Sequence, residues 1–267
     1  MKRYSWYGCG LIVFAVLISA GSCANQAEVT VQNGNWLKSF GADFRSWPDR
    51  LIKDSGDTFL RADNLTALLL AGGASIAMHN SDADKNIWGN LERHQGIDGF
   101  ASETFNTIGN PGFHFAAAGL WYAVSADKND EFNRSRAWTM MTALAVNGLV
   151  TVGLKAVRDN DTPNGKSWAW PSGHTSSSFT AASVLDEFYG PKVGIPAYIL
   201  ASLVGYRMMA EGDHWASDVV FGATLGWVVG HTIAGKHKQL EVAGFNVLPY
   251  MGSSDSPAAG VILVKQF

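Results

Sequence analysis

Three short polar segments interrupt an otherwise apolar chain, and their residue types suit the handling of an anion. The first, Leu154-Lys155-Ala-Val-Arg158-Asp-Asn-Asp-Thr162-Pro163, closes a long apolar stretch. The second, Pro171-Ser172-Gly173-His174-Thr175, opens the next one, and the third runs from Arg207 to Asp218 through His214. Ser172 and Gly173 fall at an expected helix start, where unpaired N–H groups and the helix dipole attract phosphate. Lys155 and Arg158, three apart, share a helix face, and Arg207 can add a bidentate clamp. His214 and Asp218 have the four-residue spacing of one helix face. The carboxylate can then hold the imidazole in the tautomer that leaves its other nitrogen nucleophilic. His174 is left to protonate a departing oxygen.

Each piece alone has a bland explanation. A His followed four residues later by Asp is common as a structural pair, and Pro-Ser-Gly-His can be an ordinary helix cap. Basic residues at a helix C-terminus are often just dipole partners. It is their combination and order that carry weight. In that order the segments resemble the three motifs of the type 2 phosphatidate phosphatase superfamily, which includes bacterial acid phosphatases and vanadium haloperoxidases. That pattern runs Lys, six residues, Arg-Pro; then Pro-Ser-Gly-His; then Ser-Arg, five residues, His, three residues, Asp. The similarity extends from about Leu65 to Ala234. It implies an all-α, compact multi-helix bundle and hydrolysis of a phosphate monoester, on a lipid or a small molecule, through a phosphohistidine. It further implies His214 as nucleophile, Asp218 as its orienting partner and His174 as acid and then base. Lys155, Ser172, Gly173 and Arg207 would hold the phosphoryl oxygens, with no metal and no other cofactor.

Two departures from the pattern stand out. The Arg of the first motif falls on Thr162, correctly followed by Pro163, and Arg158 one turn earlier is the expected substitute cation. Tyr206 replaces the Ser of the third motif, and six residues rather than five separate Arg207 from His214. Glu211 and Asp213 bring negative charge close to an anion site.

The elements that must position these residues are apolar stretches at Leu65–Met78, Phe113–Val124, Trp138–Leu154, Phe179–Phe188, Val193–Met209 and Val219–Ile233. Most are shorter than the ~20 residues a bilayer span needs, so they are expected to be buried helices of the bundle. A further helix is expected to start at Ser46-Trp47-Pro48. Gly222, Gly226 and Gly230 form a stripe expected to serve close helix packing. Val242–Tyr250 and Gly260–Phe267 are expected to form a short C-terminal β-hairpin.

Composition bounds the rest. Of 267 residues, 47 % are apolar and 16 % charged, so much of the surface is buried against protein or lipid. Met1-Lys2-Arg3, the apolar Gly10–Ala20 and the small residues Gly21–Ala24 have the layout of a signal peptide, implying an exported periplasmic or envelope protein. Cys23 offers an alternative lipoprotein anchor. Cys9 and Cys23 are the only cysteines, so the exported chain has no disulfide. The expected organisation is a signal peptide over 1–24, a linker over 25–45, a helical domain over 46–238 and a tail over 239–267. A formal charge of −3 without basic runs argues against nucleic acid as a partner. A phosphorylated lipid or small phosphoester remains, with membrane-surface association suggested by Trp168, Trp170 and Trp215 flanking the motifs. Two other functions share the motifs: a phosphate-binding envelope protein that has lost turnover, and a vanadate-dependent haloperoxidase.

Overall fold

The structure is a computed structural model that describes residues 35–94, 96–97, 99–236, 240–242, 245–251 and 259–264. The expected signal segment and Cys23 lie outside the described residues. Among them are nine helices: α1 Asn35–Phe59, α2 Ala62–Asn80, α3 Ala83–Arg93, α4 Gly99–Gly109, α5 Pro111–Asp127, α6 Glu131–Arg158, α7 Gly173–Tyr189, α8 Pro191–Ala210 and α9 Ala216–Lys236. The all-α bundle expected from the sequence is the fold observed.

Helix boundaries follow local chemistry. Asp130 caps α6 by accepting from the Asn133 N–H, and Asp159 ends it in the left-handed region at φ 34°. Gly190, at φ 73°, ends α7, and Pro191 opens α8, where its missing N–H costs nothing. Capped in this way, α6 is 28 residues long and reaches well past its apolar stretch into polar flanks. At 1.5 Å per residue it measures about 42 Å. By length and composition, α6 and α8 are long and apolar enough to cross a membrane.

The start of α1 also differs from expectation. The helix begins at Asn35 rather than Ser46 and carries Pro48 inside it. Phe40, Phe44, Trp47 and Leu51 make one continuous apolar stripe across that proline. Phe40 and Trp47 pack on Trp138, with ring centroids 5.7 and 5.3 Å apart, and this packing outweighs the hydrogen bond that Pro48 forgoes.

The core is built from α5, α6, α7 and α9, with Tyr122, Leu144, Val146, Val184, Leu225, Val229 and Ile233 fully enclosed. Its tightest seam is α7 against α9. A Cβ at Gly222 would stand 2.8 Å from the Ser172 carbonyl oxygen and one at Gly230 2.6 Å from that of Thr180. One at Gly226 would collide with the Ser176 carbonyl. The facing side of α7 is equally small, with Ser176, Ser177, Thr180 and Ser183 buried. Their hydroxyls are satisfied within α7 or by its neighbours: Thr180 Oγ1 donates to the Ser176 carbonyl at 2.8 Å, Ser177 Oγ pairs with His114 Nδ1 at 2.7 Å, and Ser183 Oγ accepts from Tyr198 at 3.0 Å. The stripe is thus a packing device, as expected.

After α9 the chain forms β1 Leu240–Val242, β2 Phe245–Met251 and β3 Ala259–Val264. β2 and β3 pair antiparallel with Asn246 opposite Val264, and β1 adds a third strand to the expected hairpin.

The seam yields a stability prediction. Gly226→Ala should cost about 1–3 kcal/mol by overpacking, roughly 2–12 °C in Tm. Gly148→Ala, in α6 with nothing within 4 Å of the new methyl, should be neutral or stabilising. Thermal unfolding of both in detergent is the check; equal Tm values would remove the seam from the account.

Candidate active site

The site lies at one end of the bundle, where α6 and α8 end and α7 and α9 begin. Ser172 is the N-cap of α7, fully buried, its Oγ accepting from the Thr175 N–H. Its own N–H donates to the Asp218 carbonyl at 3.1 Å, which ties the start of α7 to the first turn of α9. Lys155, in the last turn of α6, runs its side chain past Gly173, with Cε 4.0 Å from where a Cβ would stand. Its Nζ donates to the carbonyls of Trp168 and Ala169.

His214 occupies the turn before α9 rather than the helix itself, a correction to the expected shared helix face. Its N–H donates to the Met208 carbonyl at 3.0 Å, which anchors it to the end of α8. Asp218, in the first turn of α9, accepts from the Trp215 N–H through Oδ2 at 2.8 Å. That same oxygen faces His214 Nδ1 at 3.7 Å. The pairing expected from the four-residue spacing is therefore present, made by a turn and a helix start.

Three buried side-chain atoms in this small region lack a hydrogen-bond partner: His174 Nε2, His214 Nδ1 and Asp218 Oδ1. Buried polar atoms are normally satisfied, and exceptions call for a functional reason. Burial pushes the His174 imidazole down to about 4, with the His214, Arg207 and Lys155 charges adding to the effect and Asp213 opposing it.

Arg207, in the last turn of α8, is almost fully enclosed. Its Nε donates to Ser102 Oγ at 3.3 Å, and its Nη1 makes a close ion pair with Asp213 Oδ2. Ser102 in turn donates to Glu211 Oε1 at 2.7 Å, so that carboxylate is turned toward α4. Burial works to raise the Asp213 pKa. The Lys166 hydrogen bond and the Arg207 and Lys166 charges outweigh it and hold the group below the ordinary carboxylate value.

The expected substitute cation, and the threonine whose missing arginine it was to replace, are both engaged elsewhere. Arg158 stacks over the Trp170 ring, 5.1 Å from its centroid. Thr162 is buried and closes a turn: its hydroxyl donates to Asn164 Oδ1 at 2.6 Å and accepts from the Lys166 N–H at 2.9 Å. Of the flanking tryptophans, Trp168 is exposed. Trp170 packs on Phe221 and donates to Ser75, and Trp215 donates to the Asp161 carbonyl.

Sequence reasoning missed Asp84. It is 2 % exposed, and both its carboxylate oxygens serve Ser217, accepting from the N–H at 2.9 Å and from Oγ at 2.6 Å. Asp84 thereby caps α9 from α3, one residue from Asp218. Its one visible signal was an acidic residue in the polar break Asn80–Lys85, which looks like any loop.

The arrangement is thus a helical bundle with a polar end, where two histidines and a carboxylate lie with two cations around a helix N-terminus. The sequence profile of the PAP2 superfamily matches residues 65–240, and the chain belongs to that superfamily. A 65-residue stretch is 38 % identical to a lipid A 1-phosphatase of Porphyromonas gingivalis; the match covers 23 % of this chain and 15 % of the relative's length. Among solved structures, the first transmembrane PAP2 type phosphatidylglycerolphosphate phosphatase from Bacillus subtilis superposes with a TM-score of 0.57 at 19 % identity. That match covers 66 % of this chain and 96 % of the other. LpxE of Aquifex aeolicus matches at 18 % identity over 54 % of this chain and 90 % of its own, with a TM-score of 0.45.

Removing the cross-helix cap should be costly. Asp84→Ala leaves buried Ser217 donors unpaired and should lose about 1–3 kcal/mol, with Asp84→Asn recovering part of it through its remaining acceptor. Denaturant unfolding measures this, and an Asp84→Ala protein as stable as the parent would refute the capping role.

Proposed function

We propose that this chain hydrolyses phosphate monoesters of membrane lipids through a phosphohistidine formed on His214. The observation that carries the proposal is the placing of His214 Nδ1 3.7 Å from Asp218 Oδ2 at helix starts tied together by Ser172, with the buried His174 Nε2 without a hydrogen-bond partner in the first turn of α7. In this mechanism Nε2 of His214 attacks phosphorus while Asp218 steadies the ring from Nδ1 and balances its growing charge. The bond from phosphorus to the ester oxygen breaks as His174 gives that oxygen its proton. His174 then takes a proton from water, whose oxygen attacks the phosphohistidine, releasing inorganic phosphate and free His214. Lys155, Arg207 and the N–H groups at Gly173 hold the phosphoryl oxygens through both steps.

A lipid substrate is favoured by the outer surface of the bundle. Leu65, Leu69 and Leu70 on α2, Leu149 and Val152 on α6, and Ile195, Ile199 and Leu200 on α8 are exposed, far more apolar surface than scattered single residues. With α6 and α8 as spans, these rows face lipid, and Trp168 stands exposed beside the site where an interfacial aromatic belongs. The relative and neighbour whose names state a substrate are phosphatases of lipids. Export through Met1–Ala24, or anchoring at Cys23, would place the site in the cell envelope.

Phosphate release by purified protein in detergent should be faster with a phosphorylated lipid than with a soluble ester. His214→Ala should abolish it by on the order of 10³-fold or more. An acid-labile phosphoenzyme should be trapped on the parent protein only. Equal release by parent and His214→Ala would end this proposal.

The pH profile tests His174. In the free enzyme its proton is lost at about 4, and a bound phosphate dianion favours the protonated ring. The limb of kcat that falls with rising pH should therefore lie about one pH unit or more above that of kcat/KM. A kcat limb at or below the kcat/KM limb would count against His174 as the proton donor.

A further inference from the structure

Thr162 stands where the superfamily pattern has an arginine, and its hydroxyl is committed to a turn. That turn carries another cation to Asp213, beside His214 in the chain. The Thr162 N–H donates to the Lys166 carbonyl at 2.8 Å, the Gly165 N–H donates to the Thr162 carbonyl at 3.0 Å, and Gly165 sits at φ 80°. The turn is fastened to the third motif where the Asn164 N–H donates to the Gly212 carbonyl at 3.1 Å. Lys166 then extends to Asp213, its Nζ 3.1 Å from Oδ1, while Asn164 Nδ2 donates to the same oxygen at 3.0 Å. The other oxygen, Oδ2, is paired with Arg207. One carboxylate, adjoining His214 in the chain, thus bridges two cations, one oxygen to each.

We propose that Lys166 is a substrate-binding residue, the second phosphate-clamp cation in place of the arginine absent at Thr162, with Asp213 holding it in register with Arg207. The geometry supports this because Asp213 sets Lys166 and Arg207 side by side, one on each of its oxygens, which leaves the other N–H donors of both cations to take phosphoryl oxygens. The charge count supports it as well. Asp213 cancels Arg207, which leaves Lys155 alone against a phosphate monoester dianion, and Lys166 restores the second positive charge. Its side chain is 71 % exposed, as suits a cation that meets the substrate at the entrance. The extra residue between Arg207 and His214 has a role in the same scheme, since the lengthened segment supplies the bridging carboxylate. Arg158, held over Trp170, is not needed for the substitution.

The inference rests on the phosphatase function proposed above, and the experiment separates the two. Initial rates on a phosphorylated lipid in detergent are compared for the parent, His214→Ala, Lys166→Arg, Lys166→Ala, Lys166→Glu, Asp213→Asn and the double variant Asp213→Asn/Lys166→Ala. Lys166→Ala should raise KM roughly tenfold with little change in kcat, Lys166→Arg should retain the parent KM, and Lys166→Glu should be worse than Lys166→Ala. The gap between parent and Lys166→Ala should narrow as salt is raised, because an exposed charge is screened. The KM penalty should persist when Lys166 is removed from Asp213→Asn.

A penalty that vanishes in that background means that Lys166 only neutralises Asp213, and the inference is overturned. If Asp213→Asn does not fold, the Arg, Ala and Glu series at position 166 decides, and KM values that do not follow the charge overturn it. Parent turnover with an unchanged KM in Lys166→Ala also overturns it, leaving the phosphatase function intact. A parent protein as inactive as His214→Ala overturns both.

Discussion

The backbones of α7 and α9 touch along Gly222, Gly226 and Gly230, and that contact positions the chemistry. His174 belongs to the first turn of one helix, and Asp218 to the first turn of the other. Neither side chain is long, so they can belong to one site only if the helix starts lie side by side. Small residues on both faces allow it, and the Ser172 N–H to Asp218 carbonyl bond fixes the offset between the two helices. Other restraints are secondary to this one: Asp84 from α3 secures the start of α9, and the Met208 carbonyl anchors His214.

Electrostatics at this end of the bundle show a division of labour. Carboxylates close to an anion site would ordinarily weaken it. Here Glu211 is engaged by Ser102, and Asp213 is spanned by Lys166 and Arg207. The negative charges that looked unfavourable in the sequence are thereby used as structural links. Arg207 gains a fixed orientation from them, which a long flexible cation otherwise lacks.

Much of this was legible before the structure. The six apolar stretches became α2 and α5 to α9, and the glycine stripe did the packing expected of it. What escaped notice depended on distance along the chain. Asp84 acts on Ser217 across 133 positions, and no local pattern announces such a partner. The true start of α1 carries no local mark, since Pro48 has the signature of a first turn, whereas the stripe from Phe40 to Leu51 is held by Trp138 far downstream. The apolar stretch Trp138–Leu154 understates the length of α6, because its caps lie in the polar flanks. Helix spacing suggested the His214–Asp218 pair, yet a turn creates it. Side-chain adjacency was therefore inferred correctly from the wrong local geometry.

The meeting of two helix N-termini also bears on how an acidic chain can attract an anion at all. Its formal charge is −3, so attraction cannot come from an overall field. The start of α9 is answered by Asp84 and Asp218, but α7 is capped only by the neutral Ser172 hydroxyl, so its positive end supplies a local potential made of peptide dipoles. Unlike histidine or lysine, peptide dipoles carry no proton to lose. That share of the hold on an anion is indifferent to the acidity of the surroundings.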